Sequence, residues 1–89
     1  MGIITAMLYE TVIDEQITVW VFFNKGIYPV AMNWRSQLIK FQKVIFTTTK
    51  KVGQTKLINL ICAADNTNFE LEYNSDNYSW KLKKLMPGD

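Results

Sequence analysis

The sequence predicts an all-β domain, a six- to seven-stranded antiparallel meander closed into a small barrel or a strongly curved sheet, and three observations carry that prediction. Apolar and polar residues alternate in short runs, most plainly in Phe69-Glu70-Leu71-Glu72-Tyr73 and Tyr78-Ser79-Trp80-Lys81-Leu82. Clusters of Asn, Asp, Ser and Gly separate such runs at intervals of roughly eight to twelve residues. No stretch carries the apolar spacing of an amphipathic helix. An open sheet of this size would leave two unprotected edges, hence the expectation of closure or strong curvature. With 89 residues the chain has room for one core, so residues 1–89 form a single domain with an expected radius of gyration of roughly 12 Å.

Taken in order, Met1 to Asp14 reads as a strand, since Ile3, Ile4, Met7, Leu8, Val12 and Ile13 fit a strand or a short helix about equally. Met1 to Ala6 reads as partly extra sequence, Met7 offering an alternative start. Asp14-Glu15 is a polar break. In the next strand, Gln16 to Phe23, both parities are mostly apolar, which indicates a strand that is central or covered on both sides. Asn24-Lys25-Gly26 supplies a three-residue hairpin loop with Gly26 in the left-handed conformation. The return strand, Ile27 to Trp34, then pairs Phe22 with Tyr28 and Trp20 with Val30. Pro29 has no N–H to donate, so it belongs at an edge or a bulge.

Arg35-Ser36 lacks the residues of a tight hairpin turn and reads as a bend or bulge. Along Gln37 to Thr49 the apolar parity slips near Gln42-Lys43, as at a bulge or a barrel corner. Thr47 to Gln54 is polar, small and basic, and reads as a mobile, exposed hairpin tip. Thr55 to Ala64 is continuously apolar enough for a buried strand. After the turn cluster Asp65 to Asn68 comes the clearest hairpin. A loop at Asn74 to Asn77 sets Tyr73 against Tyr78, Leu71 against Trp80 and Glu70 against Lys81, with one aromatic face and one charge-paired face. Met86 to Asp89 forms a frayed tail.

Ten Lys and Arg against eight Asp and Glu leave a net charge of +2, too weak a field for a dedicated nucleic-acid binder. The lone Cys62 excludes an intrachain disulfide, and with no apolar run of about 18 residues and no basic leader the expected location is the cytoplasm. Its neighbours Leu60, Ile61, Ala63 and Ala64 make it a buried, inert thiol. Histidine is absent, which removes the commonest general base and metal ligand, so neither an enzyme nor a metal or cofactor site is expected. Glu70 and Glu72 lie about 7 Å apart by the strand rise, a spacing that imitates a catalytic carboxylate pair, but Lys81 and Lys83 neutralise them.

Aromatic rings and cations interleave at Trp20, Tyr28, Trp34, Arg35, Lys40, Phe41 and Lys43, with Lys50 and Lys51 on the hairpin tip. Such a surface suits either of two partners. Burying surplus aromatic area against a second copy, as a homodimer, or against another protein is the first. Single-stranded nucleic acid, bases on rings and phosphates on cations, is the alternative.

Gly26-Ile27-Tyr28-Pro29, the run Met32 to Phe41 with Trp34-Arg35, Phe69-Glu70-Leu71-Glu72-Tyr73 and Trp80-Lys81-Leu82 together resemble a small uncharacterised bacterial domain family, common in clostridia-like bacteria. That family's pattern is Gly-x-x-Pro, an x-Trp-x-Gly-Arg-x-Tyr-x-Val run, Tyr-Glu-Leu-x-Tyr and Trp-x-Leu. The resemblance spans roughly residues 16 to 85; Ser36 and Gln37 stand where the pattern has Gly and Arg. It implies a β-fold and no activity, and similar domains associated with DNA-repair polymerases lend weight to the nucleic-acid alternative.

Overall fold

A computed structural model describes residues 10–88. Seven strands run in chain order: β1 Thr11–Phe23, β2 Ile27–Trp34, β3 Gln37–Lys40, β4 Lys43–Val52, β5 Thr55–Ala64, β6 Thr67–Asn74 and β7 Ser79–Pro87. They form one antiparallel sheet in the order β3-β2-β1-β7-β6-β5-β4. Each strand pairs with its neighbour in sequence except at the β3–β4 step, and β1 pairs with β7. The sheet is therefore not closed into a barrel: β3 and β4 are its two edges.

The sheet nevertheless curls around one core. Met32 from β2 packs in the same cluster as Leu60 and Cys62 from β5, Phe69 and Leu71 from β6, and Trp80, Leu82 and Leu85 from β7. In a flat sheet β2 and β5 would stand about 19 Å apart, four strand spacings, so these side chains meet only because the sheet bends over them. At the β3–β4 corner the Phe41 amide donates to the Val30 carbonyl and the Gln42 amide to that of Ala63. The two edges thus approach at one end without pairing. Phe41, grouped above with a binding surface, instead packs into the core, edge-on to Phe69 at 5.9 Å.

Alternation decides which residues enter this core. Along β6 and β7, Phe69, Leu71, Trp80, Leu82 and Leu85 are buried, and every second residue between them is charged or polar. The register of this hairpin differs from the expected one by two residues. Tyr73 faces Trp80, Leu71 faces Leu82, Glu72 faces Lys81 and Glu70 faces Lys84. Tyr78 takes a left-handed conformation in the turn, with φ of 60°, and is exposed, so the loop is Ser75 to Tyr78 and the inner aromatic pair is Tyr73 on Trp80 at 4.8 Å. The reason is local: Asn74 accepts from the Asp76 amide and Asn77 from that of Ser79 through their side chains, and the Tyr78 amide donates to the Asn74 carbonyl.

Other turns also depart from expectation. Asp14-Glu15 does not break the chain; β1 runs through it on a bulge, with Asp14 at φ 56°. Residues 1–9 and Asp89, which include much of the expected first strand and the last residue of the expected frayed tail, lie outside the described residues; within that tail, Met86 and Pro87 are the end of β7. In the first hairpin Lys25, at φ 56°, takes the left-handed place assigned to Gly26. Gly26 serves space instead, because a Cβ there would lie 3.1 Å from the Tyr28 hydroxyl. Phe22 does pair with Tyr28, but Trp20 pairs with Ala31, Val30 being an extra residue at a bulge beside Pro29. Arg35-Ser36 is a tight two-residue turn between Trp34 and Gln37 after all, with φ of 52° and 64°. Positive φ at both centres is the type I′ pattern, adopted here without its favoured Asn-Gly.

Thr47 to Val52 is strand and not loop. The turn shrinks to Gly53-Gln54, where Gly53 has φ of 64°, and the β4–β5 hairpin extends the molecule to 42 Å in its longest dimension. The parity slip in the third run comes from the Phe41-Gln42 corner together with a bulge between Val44 and Phe46. The Cα radius of gyration is 12.9 Å.

Candidate functional site

The outer face of β1–β2–β3 is built by register. Phe22 pairs with Tyr28, Trp20 with Ala31, Ala31 with Lys40, and Asn33 with both Thr18 and Leu38. Partners across an antiparallel ladder share a face, so Trp20, Phe22, Tyr28, Leu38 and Lys40 stand together, with Val30 added at the bulge. Their inner-parity neighbours Val19, Val21, Met32 and Ile39 belong to or pack on the core. Trp20 remains 48% exposed, Phe22 57%, Tyr28 45%, Val30 48% and Leu38 57%. Of the two expected alternatives, β1 is therefore central in the sheet and covered on its inner side alone.

Trp34 and Arg35 form a different feature. Trp34 has inner parity and packs on the edge of the core. Its indole N–H donates to Glu15 Oε1 at 2.9 Å, and Arg35 donates to both Glu15 oxygens, at 3.3 and 2.6 Å. The guanidinium also lies 4.6 Å from the Trp34 ring centre. Hydrogen bonds from Arg35 and then Trp34 hold the Glu15 carboxyl below its ordinary range, and Glu15 raises Arg35 in turn. Arg35 is therefore already engaged, fixing the strained turn, and is a structural cation rather than part of the aromatic face.

Lys43, Lys50 and Lys51 lie on β4, the opposite edge of the sheet from β3. The eight predicted binding residues accordingly divide into three groups: Trp20, Tyr28 and Lys40 on the outer aromatic face, Trp34 and Arg35 at the Glu15 contact, and Lys43, Lys50 and Lys51 on the β4 edge. Alternation along β1 could have pointed to Phe22, two residues from Trp20. Leu38 and Val30 carried no signal beyond being apolar, because exposure depends on how the sheet bends.

On the outer face of β5–β6–β7, Glu70 and Glu72 have different partners. Asn59 donates to Glu70 Oε2 at 2.9 Å, and Lys50 Nζ lies 4.0 Å from Glu72 Oε2. Lys81 and Lys84 stand across the ladder from Glu72 and Glu70 but make their ion pairs with Asp14 at 3.9 Å and Glu10 at 3.3 Å, so of the two glutamates only Glu72 has a lysine within 4 Å among the described residues, and that lysine is Lys50. Lys83 instead reaches Asp14 at 2.8 Å. The buried Cys62 thiol is pushed up to about 12 by desolvation, which leaves almost no thiolate near neutrality.

Among the described residues no group of three His, Cys, Asp or Glu side chains converges as a metal site would need, and no helix is long and apolar enough to cross a membrane. Comparison with protein-family models, curated proteins and solved structures found no match to the chain.

Proposed function

We propose that this protein is a non-catalytic interaction module, working in a reducing cytoplasmic setting, whose outer β1–β2–β3 face docks against a second copy of the chain. The observation that carries this is the clustering of Trp20, Phe22, Tyr28, Val30 and Leu38, all about half exposed, on one face. Small monomers rarely present a contiguous patch of this kind, and Trp and Tyr are the residue types that dominate interface energetics. Lys40 is the one charged residue in these rows, so two copies meet there with little like-charge repulsion.

Sedimentation equilibrium tests the reading. The mass should rise from about one chain toward two with concentration, and a Trp20→Ser, Phe22→Ser variant should stay monomeric. A wild-type mass that stays at one chain up to roughly 100 µM, a range that captures ordinary weak dimers, would refute it.

Single-stranded nucleic acid is the second reading, favoured by the lysines of β4 and by the resemblance to repair-associated domains. It is weaker because the aromatic face carries Lys40 alone while Lys43, Lys50 and Lys51 lie on the β4 edge, whereas such sites interleave rings with several cations. Binding to labelled oligonucleotides at low salt, lost as salt rises, would support it. Failure to bind at low salt would end it, and binding retained in a Trp34→Ala, Arg35→Ala variant would move the site to β4.

A further inference from the structure

Ten residues long, β4 is an edge strand, and from Ile45 to Val52 it is exposed on both faces. Long exposed edges are templates for strand addition. Hairpin geometry says which of its backbone groups are free. Val52 pairs with Thr55 across the two-residue turn Gly53-Gln54, and a turn of that length bonds the first residue's carbonyl to the fourth residue's amide. Bonded and non-bonded positions then alternate along an antiparallel ladder. With register unbroken from Val52 back to Phe46, Val52, Lys50, Thr48 and Phe46 bond to β5. Lys51, Thr49 and Thr47 turn their N–H and C=O groups outward, where no described strand receives them.

Charge selects the occupant. Lys81, Lys83, Lys84 and Arg35 have carboxylate partners within 4 Å. Among the described residues Lys43 and Lys51 on β4 and Lys56, opposite Lys51, have none, and Lys50 reaches Glu72 only at 4.0 Å. The edge is therefore flanked by uncompensated positive charge at both ends. A second copy added here would bring its own Lys43, Lys50 and Lys51 alongside, and edge lysines act against that kind of pairing. The same lysines attract an acidic chain. We propose that β4 receives an extended acidic peptide segment as an eighth strand, its backbone bonded to Thr47, Thr49 and Lys51 and its carboxylates on the face of Lys43 and Lys50, whose partners Ala63 and Leu57 share one side of β5.

The probe is a fluorescein-labelled seven-residue peptide alternating Glu with Thr and Val, followed by fluorescence anisotropy on the full chain. Saturable binding that weakens as salt rises is expected. Thr49→Pro should weaken it by about tenfold or more while leaving the fold intact, because the amide it removes faces outward and proline is tolerated on that side of an edge strand. Lys50→Glu, Lys51→Glu should abolish binding, and this second variant keeps the test decisive if Thr49→Pro lowers stability. Unchanged affinity in both variants, equal binding of the matching Lys peptide, or binding of oligothymidylate in place of the peptide would each overturn the proposal. So would a wild-type dimer that Thr49→Pro converts to monomer, since a second copy would then own the edge. The Trp20, Phe22 variant should bind the peptide normally, which separates this site from the aromatic face.

Discussion

Replacing Leu71 with alanine tests whether the inner side of the curled sheet is the sole core. Leu71 lies between Leu60 on β5 and Leu82 on β7 in the ladders, and all three are fully buried. Leu→Ala at such sites costs about 3–5 kcal/mol, the larger values arising where the surroundings cannot collapse into the cavity. Two flanking ladders hold the backbone here, which argues for the upper half of that range. A domain of this size has a total stability of roughly 4–13 kcal/mol, so one substitution should remove a third or more of it. Urea unfolding followed by tryptophan fluorescence, to which buried Trp80 contributes with Trp20 and Trp34, gives the measurement. With a urea slope of about 1.5 kcal/mol per molar, the midpoint should fall by roughly 2–3 M at unchanged slope. Phe46→Ala, a larger truncation on an exposed residue, should cost about 1 kcal/mol or less. A loss under about 1 kcal/mol at Leu71, or a larger loss at Phe46, would refute this assignment of the core.

Two further outcomes concern strained or charged backbone positions. A hydrogen bond from Lys83 holds the Asp14 carboxyl below its ordinary value. A carboxyl depressed in the folded state adds stability above its unfolded pKa and loses it as pH falls through the folded one, so the melting temperature should drop below about pH 4. Asp14→Asn, which tolerates the positive φ, should flatten that acid limb; an unaltered slope would show that Asp14 contributes nothing to it. Ser36→Gly should raise stability by about 1 kcal/mol, since Ser36 sits at φ 64°, a region that costs an ordinary L-residue about that much. A lower melting temperature in that variant would mean that Ser36 makes a favourable contact outweighing its backbone.

Legibility varied with how local the deciding interaction is. β5 was readable to the residue, Thr55 to Ala64, because a dense apolar run sits between two turn signals. The final hairpin was readable in parity but not in register: whether Tyr78 opens a strand or closes a turn depends on hydrogen bonds from Asn74 and Asn77 that period-two alternation does not encode. Arg35-Ser36 was misread because propensity argues against a type I′ turn there. Contacts from Arg35 to Glu15, twenty residues away in sequence, help to hold it. The aromatic surface was half legible. Trp20, Tyr28 and Lys40 share the outer face, while Phe41 turned inward at the corner and Lys43, Lys50 and Lys51 fell on the far edge.

The sequence by itself determined the all-β class, most of the antiparallel hairpins and the burial of Cys62, because alternation, turn chemistry and composition act over a few residues. Only the tertiary structure decided that the sheet curls without closing, that β1 is covered on one side, and that the lysines of β4 stand apart from the aromatic face. Those outcomes rest on which strands meet across a bend, and that is set by the summed packing of distant residues such as Met32 against Leu60 and Leu82. Local pattern fixes which faces a strand has; only packing fixes which of them water still reaches.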